Sequence, residues 1–516
     1  MVVNSLQQAG DLTPDTATGP TTGAATGGGG TGQTGDAGGR RIPVALAVWG
    51  SLIVAACAAG AVLHGLGVLR IDHLPPFHGH FRTPSITLLP PLALAVLAVA
   101  TLPALTARLR FRQALLVAYG TALAWTVSLA VSGEGLARPF TNPGEYPAVL
   151  PAVADDPLGW LDSFVERLHG YPAHVRGHPP LPVLVVWALA RAGLPGPFWA
   201  ALLVVAVGCS ATVAVALTVR RLAGEEAARA ALPYLALTPT SVWIATSMDA
   251  FFAGVGAWGV ALLVLGGGAG IAPRAGTLSK AGIAPRAGTL SKAGIAPRAR
   301  TLPWAGIAPR ARTLPRAGGP SRAGIALGSG DPSRAGIVAG AGAGVLLGAL
   351  PYLSYGLVPY LLIPLVAAFA ARIPRGTVFA CLAGAAAVTA AFAASGFLWP
   401  SGVLATHAEW SVDPGAARPY FYFLVADVAV LALLTGPAAA VGLARTPPGV
   451  RALVVAAAVA VLALDLSGVT RGEVERIWVP YAVWIVLAAV AAPGRRWLAA
   501  QALTGLLLQG LVISPW

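Results

Sequence analysis

The chain has 516 residues, 56% of them apolar and only 10% charged, against about 25% charged in an ordinary soluble domain. That balance excludes a soluble enzyme, a disordered protein and a secreted disulfide scaffold. The formal net charge of +14 is local: residues 271–334 carry eleven Lys/Arg and one acid, Asp331, so it is no argument for nucleic acid as a partner.

Residues 1–39 are Gly, Thr, Ala, Asp and Gln with almost no large apolar side chain. Such a segment cannot bury enough surface to offset its ordering, and reads as a disordered cytoplasmic tail. The first apolar run, 42–66, lacks a signal-peptide cleavage site and reads as a retained helix. Further apolar runs follow at 86–106, 113–132, 197–219, 227–244, 250–267, 337–353, 355–371, 377–395, 421–444, 451–467, 478–493 and 497–515. These lengths approach or reach the ~20 residues that cross a bilayer as a helix. The expected fold is an all-α, polytopic transmembrane helix bundle of about 13 spans, with regions 40–268 and 337–516 on either side of an insert.

Arg and Lys on alternate connections set orientation in such proteins. Arg40, Arg41, Arg108, Arg110, Arg112, Arg220, Arg221, Arg229, Arg372, Arg375, Arg445, Arg451, Arg495 and Arg496 all fall on one side if the N-terminus is cytoplasmic. That predicts a multi-pass protein of the cell membrane, in contact with membrane lipids, whose C-terminus is extracytoplasmic. All eight histidines then lie on the outer side. The apolar segment 181–194 is too short to span and is expected to be interfacial or re-entrant. Between 269 and 336 the sequence repeats AGIAPRAGTLSK and its variants every twelve residues. Its prolines forbid a regular helix, so it reads as a low-complexity basic insert in a tolerant cytoplasmic loop. An anionic-lipid tether is the other reading. Cys57, Cys209 and Cys381 lie far apart in apolar stretches and read as small core residues.

Chemistry is expected in the long outer loop 133–196, which holds Glu134, Glu145, Asp155, Asp156, Asp162 and Glu166 beside Arg138, Arg167, Arg176, His169, His174 and His178. Trp160, Leu161, Phe164, Val165 and Leu168 recur at helical spacing, predicting a short amphipathic surface helix over 157–169. Asp156-Pro157 suits its N-terminal cap. Asp249 stands at the mouth of a span, where an ionisable group is a functional candidate. Asp427, deep in a run, is expected to face the bundle interior. His73, His78 and His80 offer a ligand pair but no fixed third ligand for zinc. Arg471, Glu473, Glu475 and Arg476 make a compact charged loop whose members can pair with one another.

A long outer loop with a carboxylate, ending in His178-Pro179-Pro180-Leu181, resembles the GT-C superfamily of polyprenyl-phosphate-dependent glycosyltransferases. The protein mannosyltransferase and aminoarabinose transferase branches are nearest in plan. Thr238-Pro239-Thr240 with Met248-Asp249-Ala250, and Gly472-Glu473-Val474-Glu475-Arg476-Ile477-Trp478-Val479-Pro480, look like further outer-loop elements of that superfamily and its actinobacterial relatives.

The resemblance implies inverting transfer of a sugar from a polyprenyl-phosphate donor to an acceptor hydroxyl on the extracytoplasmic face. A carboxylate would take the hydroxyl proton, and cationic side chains would stabilise the departing phosphate. Glu145 is the expected base. Arg476, Arg176 and His178 are expected at the phosphate, and Asp249 at the substrate. Asp155 and Asp156 would bind the acceptor or a divalent cation, or would cap the helix. In those branches the catalytic loop follows the first helix. Here two spans and the short loop 70–83 precede it, which leaves Asp72 as an alternative base. A transporter or lipid flippase, and a non-catalytic membrane protein, are the competing expectations.

Overall fold

The computed structural model describes residues 36–71, 74–268, 332–492 and 494–514. The tail before residue 36, Asp72, His73 and the repeats of 269–331 lie outside the described residues. The chain divides into two units, Met1–Val44 and Ala45–Trp516, and the second holds the helix bundle. Helices of seven or more residues are α1 (Asp36–Gly65), α2 (Leu89–Arg108), α3 (Phe111–Ser132), α4 (Leu181–Arg191), α5 (Pro197–Ala223), α6 (Glu225–Ala236), α7 (Asp249–Gly266), α8 (Pro332–Leu353), α9 (Leu362–Ala371), α10 (Arg375–Ala394), α11 (Trp399–Val412), α12 (Tyr420–Gly442), α13 (Pro448–Ser467), α14 (Val479–Ile485) and α15 (Arg495–Leu511). Two-residue strands β1 (His80–Phe81) and β2 (Val512–Ile513) pair antiparallel. Among the described residues, nine helices are long and apolar enough to cross a membrane.

The all-α architecture follows from the sequence, because these runs are rich in Ala, Leu and Val and each satisfies its own backbone, as hydrocarbon requires. Small residues set the closest approaches. Gly340, Gly344 and Gly348 recur every fourth residue on α8 and face Thr377, Cys381 and Ala385 of α10. A side chain at Gly344 would collide with the Cys381 carbonyl; such small-xxx-small spacing lets two helix backbones touch. The same logic places Gly208 of α5 and Gly254 of α7 at the contact between those helices. Helix α7 is the innermost of the nine, packed between α5 and α8.

Four runs expected as continuous helices are interrupted: 355–371 opens in two 3-10 turns before α9, 478–493 passes from α14 into the 3-10 turn Val486–Ala491, and two others break at prolines. The run 227–244 stops at Ala236, because Thr238 precedes Pro239 and a pre-proline residue disfavours the helical region. A single turn, Ser241–Ile244, completes the path. Trp125 Nε1 donates to the Thr238 carbonyl at 3.3 Å, and Thr240 Oγ1 donates to the Leu434 carbonyl at 2.8 Å. In α12, Gly436 leaves the helical region at φ 76°, ψ 171°, just before Pro437. Gln501, fully buried on α15, closes that break: its Oε1 accepts from Ala438 N at 3.3 Å and its Nε2 donates to the Thr435 carbonyl. The surface helix expected over 157–169 is also shorter. It spans Pro157–Asp162 and passes through turns into a 3-10 turn at Leu168–Gly170.

The bundle has two chemically distinct ends. At one, Arg229 donates to the Thr106 and Leu109 carbonyls at 2.6 and 2.9 Å, covering the last turn of α2, and Glu225 pairs with Arg220 and Arg229. Gly449 meets Leu222 and Gly267 meets Ile373 at this same end. At the other, Arg82 Nη2 donates to the Ser132 carbonyl at 3.1 Å, and the loop 133–180 lies there with the 468–478 loop. Helix α4 begins and ends on this side, since α5 starts here at Pro197 and reaches Arg220 at the far end.

Two substitutions test this packing. Gln501→Leu leaves the Thr435 carbonyl and Ala438 N–H without their partner, a loss of about 1–3 kcal/mol for buried groups, and Gly344→Leu overpacks the α8–α10 contact by a similar amount. Both should lower the thermal midpoint of detergent-solubilised protein, whereas Gly50→Leu on α1, with open space around it, should not.

Candidate functional site

The turn carrying Glu145 is closed without its side chain. Gly144 N donates to Asn142 Oδ1 at 2.8 Å and Glu145 N to the Asn142 carbonyl at 3.0 Å. Glu145 stands before the 3-10 turn Tyr146–Val149 in extended backbone and makes no capping bond. Its carboxylate turns inward instead and meets His174 Nδ1 at 2.6 Å, with Glu145 3% exposed. The backbone bond His174 N to the Gly144 carbonyl, 3.2 Å, pins the two segments together. The second oxygen, Oε2, is buried with no hydrogen-bond partner among the described residues.

Beside this pair lies a chain of buried ionic contacts. Arg476, on the turn Val474–Ile477, is 6% exposed. Its Nη2 donates to Glu473 Oε2 at 2.8 Å, and its Nη1 stands 3.5 Å from Asp249 Oδ2 at the start of α7. Glu473 sits at φ 62° after Gly472 at φ 84°, a left-handed backbone that costs about 1–3 kcal/mol for a non-glycine residue and persists where the surroundings hold it. Arg418 helps to hold it: Nη1 lies 3.6 Å from Glu473 Oε1 and donates to the Arg471 carbonyl at 2.8 Å. Arg418 also donates to the Arg70 carbonyl and, through Nη2, to His78 Nε2 at 2.9 Å. Asp427, fully buried in α12, accepts from Gly472 N at 3.2 Å and anchors the same loop. Tyr146 lies tilted beside His174 at 6.4 Å and meets His178 edge-on at 5.9 Å between centroids.

Charge explains the protonation states. Burial alone would raise the Glu473 carboxyl, but Arg476, Arg418 and His78 outweigh it and hold it below the usual carboxylate value. Burial likewise opposes the Arg476 charge, and Glu473 with Asp249 raises its pKa despite that. The Tyr146 hydroxyl is pushed well up by burial and then by Glu145 and Asp249. His178 is driven down to about 3 by burial first, and by the nearby Arg476 and His174 second. It is therefore a neutral imidazole whose Nδ1–H donates to the His174 carbonyl at 2.8 Å.

Of the seven residues singled out from sequence, the fold gathers four: Glu145, His178, Asp249 and Arg476. Three stand aside. Asp156 caps its helix, its carboxylate accepting from Gly159 N at 2.9 Å, and Asp155 beside it is exposed. These observations favour the capping role over substrate binding. Arg176 turns away toward Glu409 of α11, at 3.8 Å. Among the described residues no three His, Cys, Asp or Glu side chains lie close enough to hold a metal ion, so the acids expected to bind a divalent cation do not form such a set. Asp72 lies outside the described residues. Sequence reasoning did not select His174 or Arg418 for this cluster, and weighed His78 only as a zinc ligand. His174 had one signal, its i, i+4 spacing to His178; Arg418 stands just before a span, as many other arginines flank one.

Two cavities lie elsewhere. One of about 650 Å³ opens at the arginine end between α2, α6 and α15, lined by Thr106, Glu225, Arg229, Tyr234 and Arg495 among others. One of about 310 Å³ at the loop end is lined by Arg82, Glu134, Thr246, Gln509 and Ser514 among others. Neither is lined by Glu145, Asp249 or Arg476; that cluster is closed in this conformation. No protein-family model, curated protein or solved structure matches this chain.

The buried neutral His178 has a pH consequence. Its folded pKa of about 3 lies below the ~6.5 of an unfolded histidine, so between these values the unfolded chain binds the extra proton. Stability contributed by this group is full above ~6.5 and falls as pH drops toward 3. The thermal midpoint of the wild type should decline between pH 6.5 and 4.5, and His178→Gln should flatten that decline; an unchanged slope in the variant would rule the assignment out.

Proposed function

We propose that the chain is an integral membrane glycosyltransferase of GT-C type, transferring a sugar with inversion from a polyprenyl-phosphate donor to an acceptor hydroxyl at the extracytoplasmic face. The observation that carries the reading is the convergence of Glu145, Asp249 and Arg476, from three distant segments, into one buried cluster at the loop end. In this reading the nine long helices are joined by four further passes: α6 with its following turn, Tyr355–Ala371, Val479–Ala491 and α15. The count of thirteen puts the loop end outside and the arginine end, with the N-terminus, in the cytoplasm.

Glu145 is the general base. Its Oε2 takes the acceptor's proton as the acceptor oxygen bonds to the anomeric carbon. The bond from that carbon to the donor phosphate oxygen breaks, and its electron pair stays on the phosphate. Arg476 balances the charge that develops there. Before the donor arrives Asp249 and Glu473 neutralise Arg476, so a phosphate competes with them for it. The broken helix α12 favours a second reading, a transporter with an ion site at the break. Gln501 already satisfies the Thr435 carbonyl and Ala438 N–H there, which weakens that reading.

The test is label transfer from a panel of radiolabelled polyprenyl-phosphate sugars, in membranes containing the full chain. Glu145→Gln should reduce the transfer rate by at least ~10²-fold, as expected for loss of a general base, while donor binding persists. Arg476→Ala should weaken donor binding as well, whereas Asp249→Asn, which removes a competitor for Arg476, should leave it equal or tighter. Wild-type membranes that transfer from no donor would sink the proposal.

A further inference from the structure

The Glu145 contact goes beyond naming a base, and rests on the transferase reading above. We infer that His174 is the positioning residue for Glu145: its Nδ1–H donates to Oε1 and leaves Oε2 as the one oxygen open to a hydroxyl-bearing acceptor. A carboxylate only accepts hydrogen bonds, so the 2.6 Å contact from His174 Nδ1 to Oε1 requires a proton on that nitrogen. The pair is enclosed, with side-chain exposures of 13% for His174 and 4% for Glu145. Enclosure makes the second oxygen informative. Buried polar atoms nearly always have a partner, and Oε2 has none among the described residues.

Several elements fix the histidine. Its backbone N–H is tied to the Gly144 carbonyl, and its carbonyl accepts from His178 Nδ1. Its ring rests near Tyr146, at 6.4 Å between centroids. The groups facing the pair are Asp249 from α7, Arg476 from the 468–478 loop, and Tyr146 and His178 from its own loop. A carboxylate tethered at one oxygen cannot rotate its other oxygen away from the acceptor, and such orientation of a reacting group lowers the barrier without taking part in bond making. In the transfer step the acceptor proton goes to Oε2, the acceptor oxygen joins the anomeric carbon, and the donor phosphate leaves with the bonding pair. His174 keeps its own proton throughout.

Two measurements separate this inference from the transferase reading. The first needs no substrate: nitrogen-15 NMR of histidine-labelled full-length protein in detergent, with the His174 signal assigned by its loss in His174→Asn. The expected result is a proton on Nδ1 whose resonance lies far downfield and returns upfield in Glu145→Gln. A His174 protonated on Nε2 alone, or a signal indifferent to Glu145→Gln, would overturn the pairing whatever the protein catalyses.

The second is the transfer assay. His174→Ala should lower kcat by roughly 10²-fold, the scale expected of misplacing a reacting group, with KM within about threefold. His174→Asn, whose amide offers a donor near the Nδ1 position, should recover at least about tenfold of that loss, as rescue of the orienting hydrogen bond requires. Equal losses in both variants, or a loss confined to KM, would show a merely structural histidine and overturn the inference. No transfer by the wild type from any donor would remove the reading on which it rests, and the NMR result would still decide the pairing.

Discussion

Two guanidinium charges held out of water organise the loop end of this protein. Arg476 and Arg418 are both under a tenth exposed, and an ion buried without compensation costs several kcal/mol. The compensation comes from far along the chain. Glu473 serves both arginines and takes a left-handed backbone to do so. Asp249 brings the start of α7 to Arg476, and His78 with the Arg70 carbonyl brings the loop before α2 to Arg418. Asp427 then fixes the 468–478 loop from below through Gly472. Removing Arg476 would leave Asp249 buried with no counter-charge, and removing Arg418 would strip Glu473 of one of its two cations, so the loop and the helix start depend on the same pair of charges.

The second constraint is the backbone itself. Helices in hydrocarbon must satisfy every N–H and C=O internally, and this bundle departs from regular helix at Gly436 and after Ala236. In each case a side chain from another helix closes the gap: Gln501 at the first, Trp125 at the second. Thr240 joins the two by bonding the Leu434 carbonyl. The irregular segments are thus buried in protein, which is the condition under which non-helical backbone is tolerated at depth. Glycines on α5, α7, α8 and α10 allow the close approach that keeps these partners within reach.

These two constraints give the candidate site its character. The cluster is enclosed and tied together by ion pairs, with one buried carboxylate oxygen left unsatisfied at Glu145. A preorganised pair of carboxylates and a cation in a low-dielectric setting suits a reaction in which a proton leaves a hydroxyl and negative charge gathers on a phosphate. Because the cluster is closed, substrate entry in the proposed reaction requires the 133–180 or 468–478 loop to give way. The ion pairs of Arg476 are the contacts a phosphate would replace.

That this chain is helical, apolar and suited to a membrane was legible in its residues alone, because hydropathy and run length are local properties that each segment carries by itself. Glu145, His178, Asp249 and Arg476 were legible too, since charges beside long apolar runs are conspicuous wherever they occur. Which of the conspicuous charges meet was left to the folded chain. Asp155, Asp156 and Arg176 look as functional as Glu145 in a string of residues, yet Asp156 caps a turn and Arg176 is drawn to Glu409. His174 and Arg418 were passed over because their partners, Glu145 and Glu473, lie 29 and 55 residues away, and nothing in composition or period records such pairs. The breaks at Ala236 and Gly436 were hidden for the same reason: a proline marks where a helix is weak, but whether it breaks depends on a side chain from elsewhere being there to take up the freed backbone groups.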